Sequence, residues 1–249
     1  MTHTALLTLA HGSRHPKAGH GVRALTAAAG RRLGLPDDAV RLAHLDLDVP
    51  LLDDVARSLA ADGFGRAAVV PLLFSTAFHA KVDVPAAVTQ AAAESGLELR
   101  LAPGIGLGGD LLDVLVGVVG QDARRGAHVV LYPVGSSHEE ANREVRRLGE
   151  RLAARTGHAV TTIPATGGAG AGGAGIIECA VAHRGEGLHL LPLFVTHGLL
   201  LDKVMDQLPF IERSTGCACT ASGPLTRALA PIVAERYRAA EAGAVDSRR

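Results

Sequence analysis

Short apolar runs alternate along the chain with longer stretches whose apolar positions recur every three or four residues, so strand-like and helix-like segments take turns. The first run lies in LLTLAHGSRHP, Leu6 to Pro16. It stops at His11 and passes through Gly12 and Ser13 to Pro16, which suits the first turn of a helix. Val22, Leu25, Ala29 and Leu33 then keep helical spacing until Gly34 and Pro36 end the pattern. Val40 to Leu47 predicts a second strand. Pro50 opens a second helix, with Asp53 and Asp54 in its first turn and Leu51, Leu52, Val55 and Leu59 on its inner face. Ala67 to Phe74, AAVVPLLF, is apolar throughout, as a strand covered on both faces must be. A helix from about Val84 with Asp83 as its cap, a strand over Leu97 to Ala102 and an apolar helix over Leu111 to Val119 follow. Four alternations of strand and helix predict a parallel α/β sheet.

The second half repeats the first. LAHGSRHPKA at Leu9 to Ala18 lies over YPVGSSHEEA at Tyr132 to Ala141, and VVPLLF at Val69 to Phe74 lies over LLPLFV at Leu190 to Val195. Gly12 to Pro71 spans 59 residues and Gly135 to Pro192 spans 57, so both matches keep nearly one register. The chain therefore divides into two copies of one α/β domain, residues 1–122 and 123–249, joined over Gln121 to Gly126. Ser137 and Glu140 have the spacing of a capping box for the helix whose inner face is Ala141, Val145, Leu148 and Leu152. The glycine run TGGAGAGGAG, Thr166 to Gly175, lacks a P-loop lysine and reads as a flexible loop.

Composition narrows the partners. Lysine plus arginine and aspartate plus glutamate both number 25 in a chain of 249 residues, which leaves no basic footprint for nucleic acid and points to a small ligand. Cys179, Cys217 and Cys219 are too few for a disulfide framework and fit buried or redox-silent thiols in a reducing compartment. No run is long enough to span a bilayer, and no charged leader precedes a long apolar region. The expectation is a soluble, cytoplasmic protein, for which an internally duplicated monomer suffices.

The candidate chemistry lies at strand ends, where open α/β sheets hold ligands. His11 and His79 each follow an apolar strand, and in the common 2-1-3-4 order their strands are neighbours. LAHLDLDVP adds Asp46 and Asp48 at the end of the second strand, two residues apart and so on one face. Two imidazoles and a carboxylate can hold a divalent metal loosely or shuttle protons. The same residues also admit a plainer role, with each histidine hydrogen-bonded to a loop carbonyl and Ser13 capping its helix.

LAHGSRHP, the segment PLLFSTAFHAKVDVP some sixty residues later and the degenerate second copy together resemble the class II tetrapyrrole chelatases of the sirohydrochlorin ferrochelatase and cobaltochelatase family. The resemblance covers both halves. It implies ATP-independent insertion of a divalent metal into sirohydrochlorin, for sirohaem or cobalamin, on two flavodoxin-like domains facing each other across a cleft. His11 and His79 match the family's two active-site histidines, which would bind the metal and take up protons. Asp46 falls where the family usually has glutamate, and His44 where it usually has an aromatic residue. Val134 stands in the second copy where His11 stands in the first, and Leu200 where His79 stands, so one catalytic set survives.

The resemblance makes the second domain the opposing wall, with Ser136, Ser137, His138, His197 and Leu200 as lining candidates. Sirohydrochlorin is a polycarboxylate, so Ser13, Arg14, Ser75 and Lys81 near the motifs are candidates to bind it. No permanently bound cofactor is expected, with Fe2+, Co2+ or Ni2+ as a substrate. A non-catalytic carrier of tetrapyrrole or metal on the same fold is the competing expectation.

Overall fold

Strand β1 (Ala5–Ala10) is buried along its whole length, as its apolar run requires. The computed structural model describes residues 4–74, 83–168 and 170–242. In the first half β1 leads through α1 (Ala18–Leu33) to β2 (Val40–His44), then α2 (Leu52–Ala61), β3 (Arg66–Pro71), α3 (Val84–Ser95) and β4 (Glu98–Leu101). The four strands are parallel in the order β2-β1-β3-β4, which is the order expected. Alternation along β1 separates its two faces. Ala5, Leu7 and Leu9 pack with Leu52, Val55 and Leu59 of α2 and Val88 of α3. Thr8, from the other face, meets Thr26 of α1 through a 2.6 Å hydroxyl contact.

The second half continues with α4 (Gly109–Asp122), β5 (His128–Tyr132), α5 (Glu139–Thr156), β6 (Val160–Thr162), α6 (Gly172–Ala182), β7 (Leu188–Pro192), α7 (Leu199–Thr215), β8 (Cys219–Ala221) and α8 (Ala230–Ala242). Its parallel sheet has the order β6-β5-β7-β8, the same arrangement again. Val130, Leu188 and Leu190 pack against Ile176 of α6 and Leu201, Val204 and Leu208 of α7.

The compact units are not divided at residue 122. One comprises Met1–Gly106 with Thr226–Arg249, and the other Leu107–Leu225. Helix α8 thus belongs with the first sheet: the Arg236 guanidinium donates to the carbonyls of Gly104 and Ile105, both at 2.9 Å, and the Tyr237 hydroxyl donates to Thr4 O at 2.7 Å. Helix α4 belongs with the second, where Asp113 pairs with Arg155 of α5 at 3.0 Å and Asp122 accepts from the Ser222 hydroxyl at 2.6 Å. The reason is packing rather than chain order. Each sheet has its last helix supplied by the part of the chain that followed the other sheet's repeat.

Other local expectations change. Leu51 is 41% exposed because it precedes α2 at the N-cap, and Ala56 takes the inner place. Asp83 stands at the N-cap of α3 without a side-chain capping bond. The Ser137–Glu140 capping box does not form, since His138 is the N-cap of α5. Asn142 holds this turn instead, accepting from Ser136 N–H at 2.9 Å and donating to Ser136 O at 2.8 Å. The glycine run is not a loop throughout, because Gly172 to Gly175 open α6. A Cβ on Gly175 would lie 1.9 Å from Gly170 O, so the glycine there is required by packing. Among the described residues no helix is long and apolar enough to cross a membrane.

His189 on β7 is fully buried, with Nδ1 2.8 Å from the Thr220 hydroxyl and Nε2 2.9 Å from the Ser222 hydroxyl. Burial holds its imidazole below the ordinary value of 6.5, so the unfolded chain takes up a proton there before the folded one does. Its contribution is therefore intact above pH 6.5 and is lost as pH falls from there through the lower folded value. Thermal unfolding should show a midpoint that drops below about pH 6.5. His189→Gln should flatten that slope, and an unchanged slope would remove His189 from the account.

Candidate functional site

At the carboxyl end of β1 the chain makes a turn that only glycine accommodates. Gly12 has φ +102°, and a Cβ on it would lie 1.6 Å from the backbone oxygen of Asp46. This close approach lets the strand ends bridge: Leu45 N–H donates to Ala10 O at 2.9 Å and Asp46 N–H to His11 O at 3.0 Å. His11 and Asp46 are therefore adjacent across the edge of the sheet, and both are exposed. The Ser13 hydroxyl accepts from His15 N–H at 3.1 Å, and Nδ1 of His15 accepts from Lys17 N–H at 3.2 Å. Ser13 and His15 thus hold the backbone leading into α1. Arg14 is exposed beside them.

Asp46 and Asp48 do not lie on one strand face. β2 ends at His44, and Leu47 adopts φ +62°, so the alternation of Val40 to Leu47 breaks there. Oδ1 of Asp46 accepts from Leu47 N–H at 2.6 Å. Asp48 turns back toward His44, placing Oδ2 3.7 Å from Nε2. His44 is 1% exposed, and its Nδ1 has no hydrogen-bond partner among the described residues. This His44–Asp48 pair escaped the sequence reading, although the spacing of four residues across a turn was visible. The loop also carries exposed apolar side chains, Leu47 at 43% and Val49 at 71%.

The second sheet repeats the strand-end bonds of this turn and its serine contact. Gly135 has φ +93°, and a Cβ on it would lie 2.5 Å from Thr166 O. Ala165 N–H donates to Pro133 O at 2.8 Å and Thr166 N–H to Val134 O at 3.1 Å, and the Ser136 hydroxyl accepts from His138 N–H at 3.1 Å. The correspondence pairs His11 with Val134 and Asp46 with Thr166. The second copy therefore keeps the scaffold and lacks both the imidazole and the carboxylate.

Ser137 and His138 are exposed at this turn, and Ser136 is engaged by Asn142 as well as by His138. His197 precedes α7 with Nδ1 3.1 Å from Oδ1 of Asp202. A cavity of about 500 Å³ opens in this second unit beside Tyr132, Thr166, Gly172, Leu200, Lys203 and Phe210. It was not anticipated, because its walls come from segments far apart in sequence. Of the residues singled out in the sequence, His79, Ser75 and Lys81 lie outside the described residues.

Comparison with known proteins bears on what these turns serve. Residues 5–121 match the CbiX family model. The sirohydrochlorin ferrochelatase of Bacillus subtilis is 28% identical over 155 residues, 59% of this chain and 57% of that enzyme. The match thus spans less than two thirds of that relative. The sirohydrochlorin ferrochelatase of Priestia megaterium is 25% identical over 221 residues, covering 82% of this chain and 77% of that enzyme. Among solved structures, SirB from Bacillus subtilis with Fe3+ aligns at a TM-score of 0.80 with 20% identity, covering 98% of this chain and 97% of the other. That likeness establishes a shared fold of two tandem chelatase-type domains.

Proposed function

We propose that this chain, whose residues 5–121 match the CbiX family model, inserts a divalent metal ion into a sirohydrochlorin-type macrocycle. The observation that carries the proposal is the asymmetry of the two turns, in which His11 and Asp46 in one unit are replaced by Val134 and Thr166 in the other. A turn built twice is what the fold needs. A histidine and a carboxylate present in one copy are what the chemistry adds.

Metal insertion removes two pyrrole N–H protons while the ion sheds water, and no oxidation state changes. The ion keeps its charge and the macrocycle becomes a dianion. Neutral imidazole suits both halves of this exchange, since it is a replaceable ligand for borderline divalent ions and a base near neutral pH. In this account His11 holds the incoming ion and accepts a proton, and His79, by its place in the motif, does the same. Asp46 assists with proton removal. Its neighbours Leu47 and Val49 offer exposed apolar surface to a macrocycle face. Ser13, Arg14, Ser75 and Lys81, with Ser136, Ser137 and His138 of the second copy, are the proposed partners of the substrate carboxylates.

The donor chemistry suits Fe2+, Co2+ and Ni2+ alike. The named relatives are ferrochelatases, which favours Fe2+ as the substrate ion. No nucleotide or resident cofactor is needed in this scheme, and a reducing cytoplasmic setting fits the free cysteines. The test is anaerobic incubation with sirohydrochlorin and Fe2+ or Co2+, followed by absorption. The expected result is metallation well above the protein-free rate. A perturbed macrocycle spectrum at the protein-free rate would instead establish a carrier.

A further inference from the structure

The amino-terminal edge of the second sheet gathers residues that the proposed chemistry does not use. His128 begins β5, Cys179 sits in the last turn of α6 and His183 is that helix's C-cap. One ligand atom from each lies within 4.8 Å of the others. From these three side chains we propose a second metal site, with two imidazoles and one thiolate, for a borderline divalent ion such as Zn2+ or Co2+.

Three features support it. First, His128 is 4% exposed, and its Nδ1 has no hydrogen-bond partner among the described residues, a costly state for a buried polar atom. Its other nitrogen, Nε2, lies 2.8 Å from the Thr161 hydroxyl, which fixes the ring with Nδ1 as the available donor. Second, Nδ1 of His183 is 3.2 Å from Oε2 of Glu186, leaving Nε2 as the nitrogen to coordinate. A carboxylate on the far nitrogen of a histidine ligand is a common support in metal sites. Third, the ligand atoms start within 4.8 Å of one another, and tetrahedral bonds of about 2.0–2.3 Å need them roughly 3.3–3.8 Å apart, so small side-chain movements bring them onto one ion.

The two rings are stacked, with centroids 3.7 Å apart and planes at 20°, so binding turns the partly exposed His183 ring out of the stack toward an ion shared with the fixed His128 ring. Burial pushes the Cys179 thiol up to about 11, and coordination would supply the positive charge that makes it a thiolate. Three protein ligands leave a fourth position for water. The softness of one sulfur and two imidazole nitrogens favours Zn2+ or Co2+ over Mg2+ or Ca2+.

The test uses the full-length reduced protein titrated with Co2+. A thiolate ligand gives a sulfur-to-cobalt charge-transfer band that no site built on His11 and Asp46 can produce. One equivalent should generate the band, and Zn2+ should displace it. His11→Ala should retain it, while Cys179→Ser should abolish it with the cobalt insertion rate unchanged. His183→Ala, at a partly exposed position, should weaken binding more than about tenfold with the fold intact by circular dichroism. Absence of the band in the wild type would overturn the proposal. So would a band of undiminished intensity in Cys179→Ser, or, if that variant does not fold, undiminished affinity in His183→Ala.

Discussion

His11→Ala should lower the rate of metal insertion by about 10²–10⁴-fold, the range over which a positioned acid or base acts. His11 is exposed at the end of a buried strand, so its removal leaves β1 and its pairing untouched. The thermal midpoint should stay near that of the wild type while turnover collapses. Asp46→Asn should lose less, because the amide keeps an oxygen to accept the Leu47 N–H and loses only the negative charge. An unfolded His11→Ala would make this histidine structural instead.

Gly12→Ala should have the larger effect on the molecule as a whole. The added methyl would sit 1.6 Å from Asp46 O, a backbone atom that cannot rotate away, and φ +102° is itself unfavourable for alanine. The strand ends must part, which breaks the bonds from Leu45 to Ala10 and from Asp46 to His11. A stability loss of about 3 kcal/mol or more is expected, together with loss of turnover because His11 and Asp46 separate. Gly135→Ala meets Thr166 O at 2.5 Å and should also destabilise. Its folded fraction should keep its turnover number at saturating substrate, with any loss confined to KM, since the turn it disturbs carries neither His11 nor Asp46 but only the proposed carboxylate partners. Chemical denaturation of both variants with activity measured per folded molecule separates these outcomes.

The two sheets were legible because strand and helix periods are local and were written twice. The register of VVPLLF against LLPLFV carried over directly to the order β2-β1-β3-β4 and β6-β5-β7-β8. The loop after β2 was not legible. LAHLDLDVP alternates like a strand, and the interruption at Leu47 arises from the approach of Gly12, some thirty-five residues away. The exchange of α4 and α8 was hidden for a similar reason, because an amphipathic pattern says that a helix packs and not against which sheet. His128, Cys179 and His183 carried no signal as a group, since more than fifty residues separate the first from the last. At the candidate site, the presence of His11 in one copy and Val134 in the other could be read from the sequence. That Asp46 answers to Thr166 needed the matched backbone bonds.

The central claim is that one copy of the turn carries the metal-binding and proton-transfer chemistry, while the other keeps the scaffold and at most helps to hold the substrate. Its most direct test is the ratio of anaerobic cobalt insertion rates in His11→Ala and His138→Ala, measured on the same substrate preparation. The account predicts that His11→Ala loses about 10²–10⁴-fold while His138→Ala stays within a few-fold of the wild type. Equal losses in the two variants would contradict it.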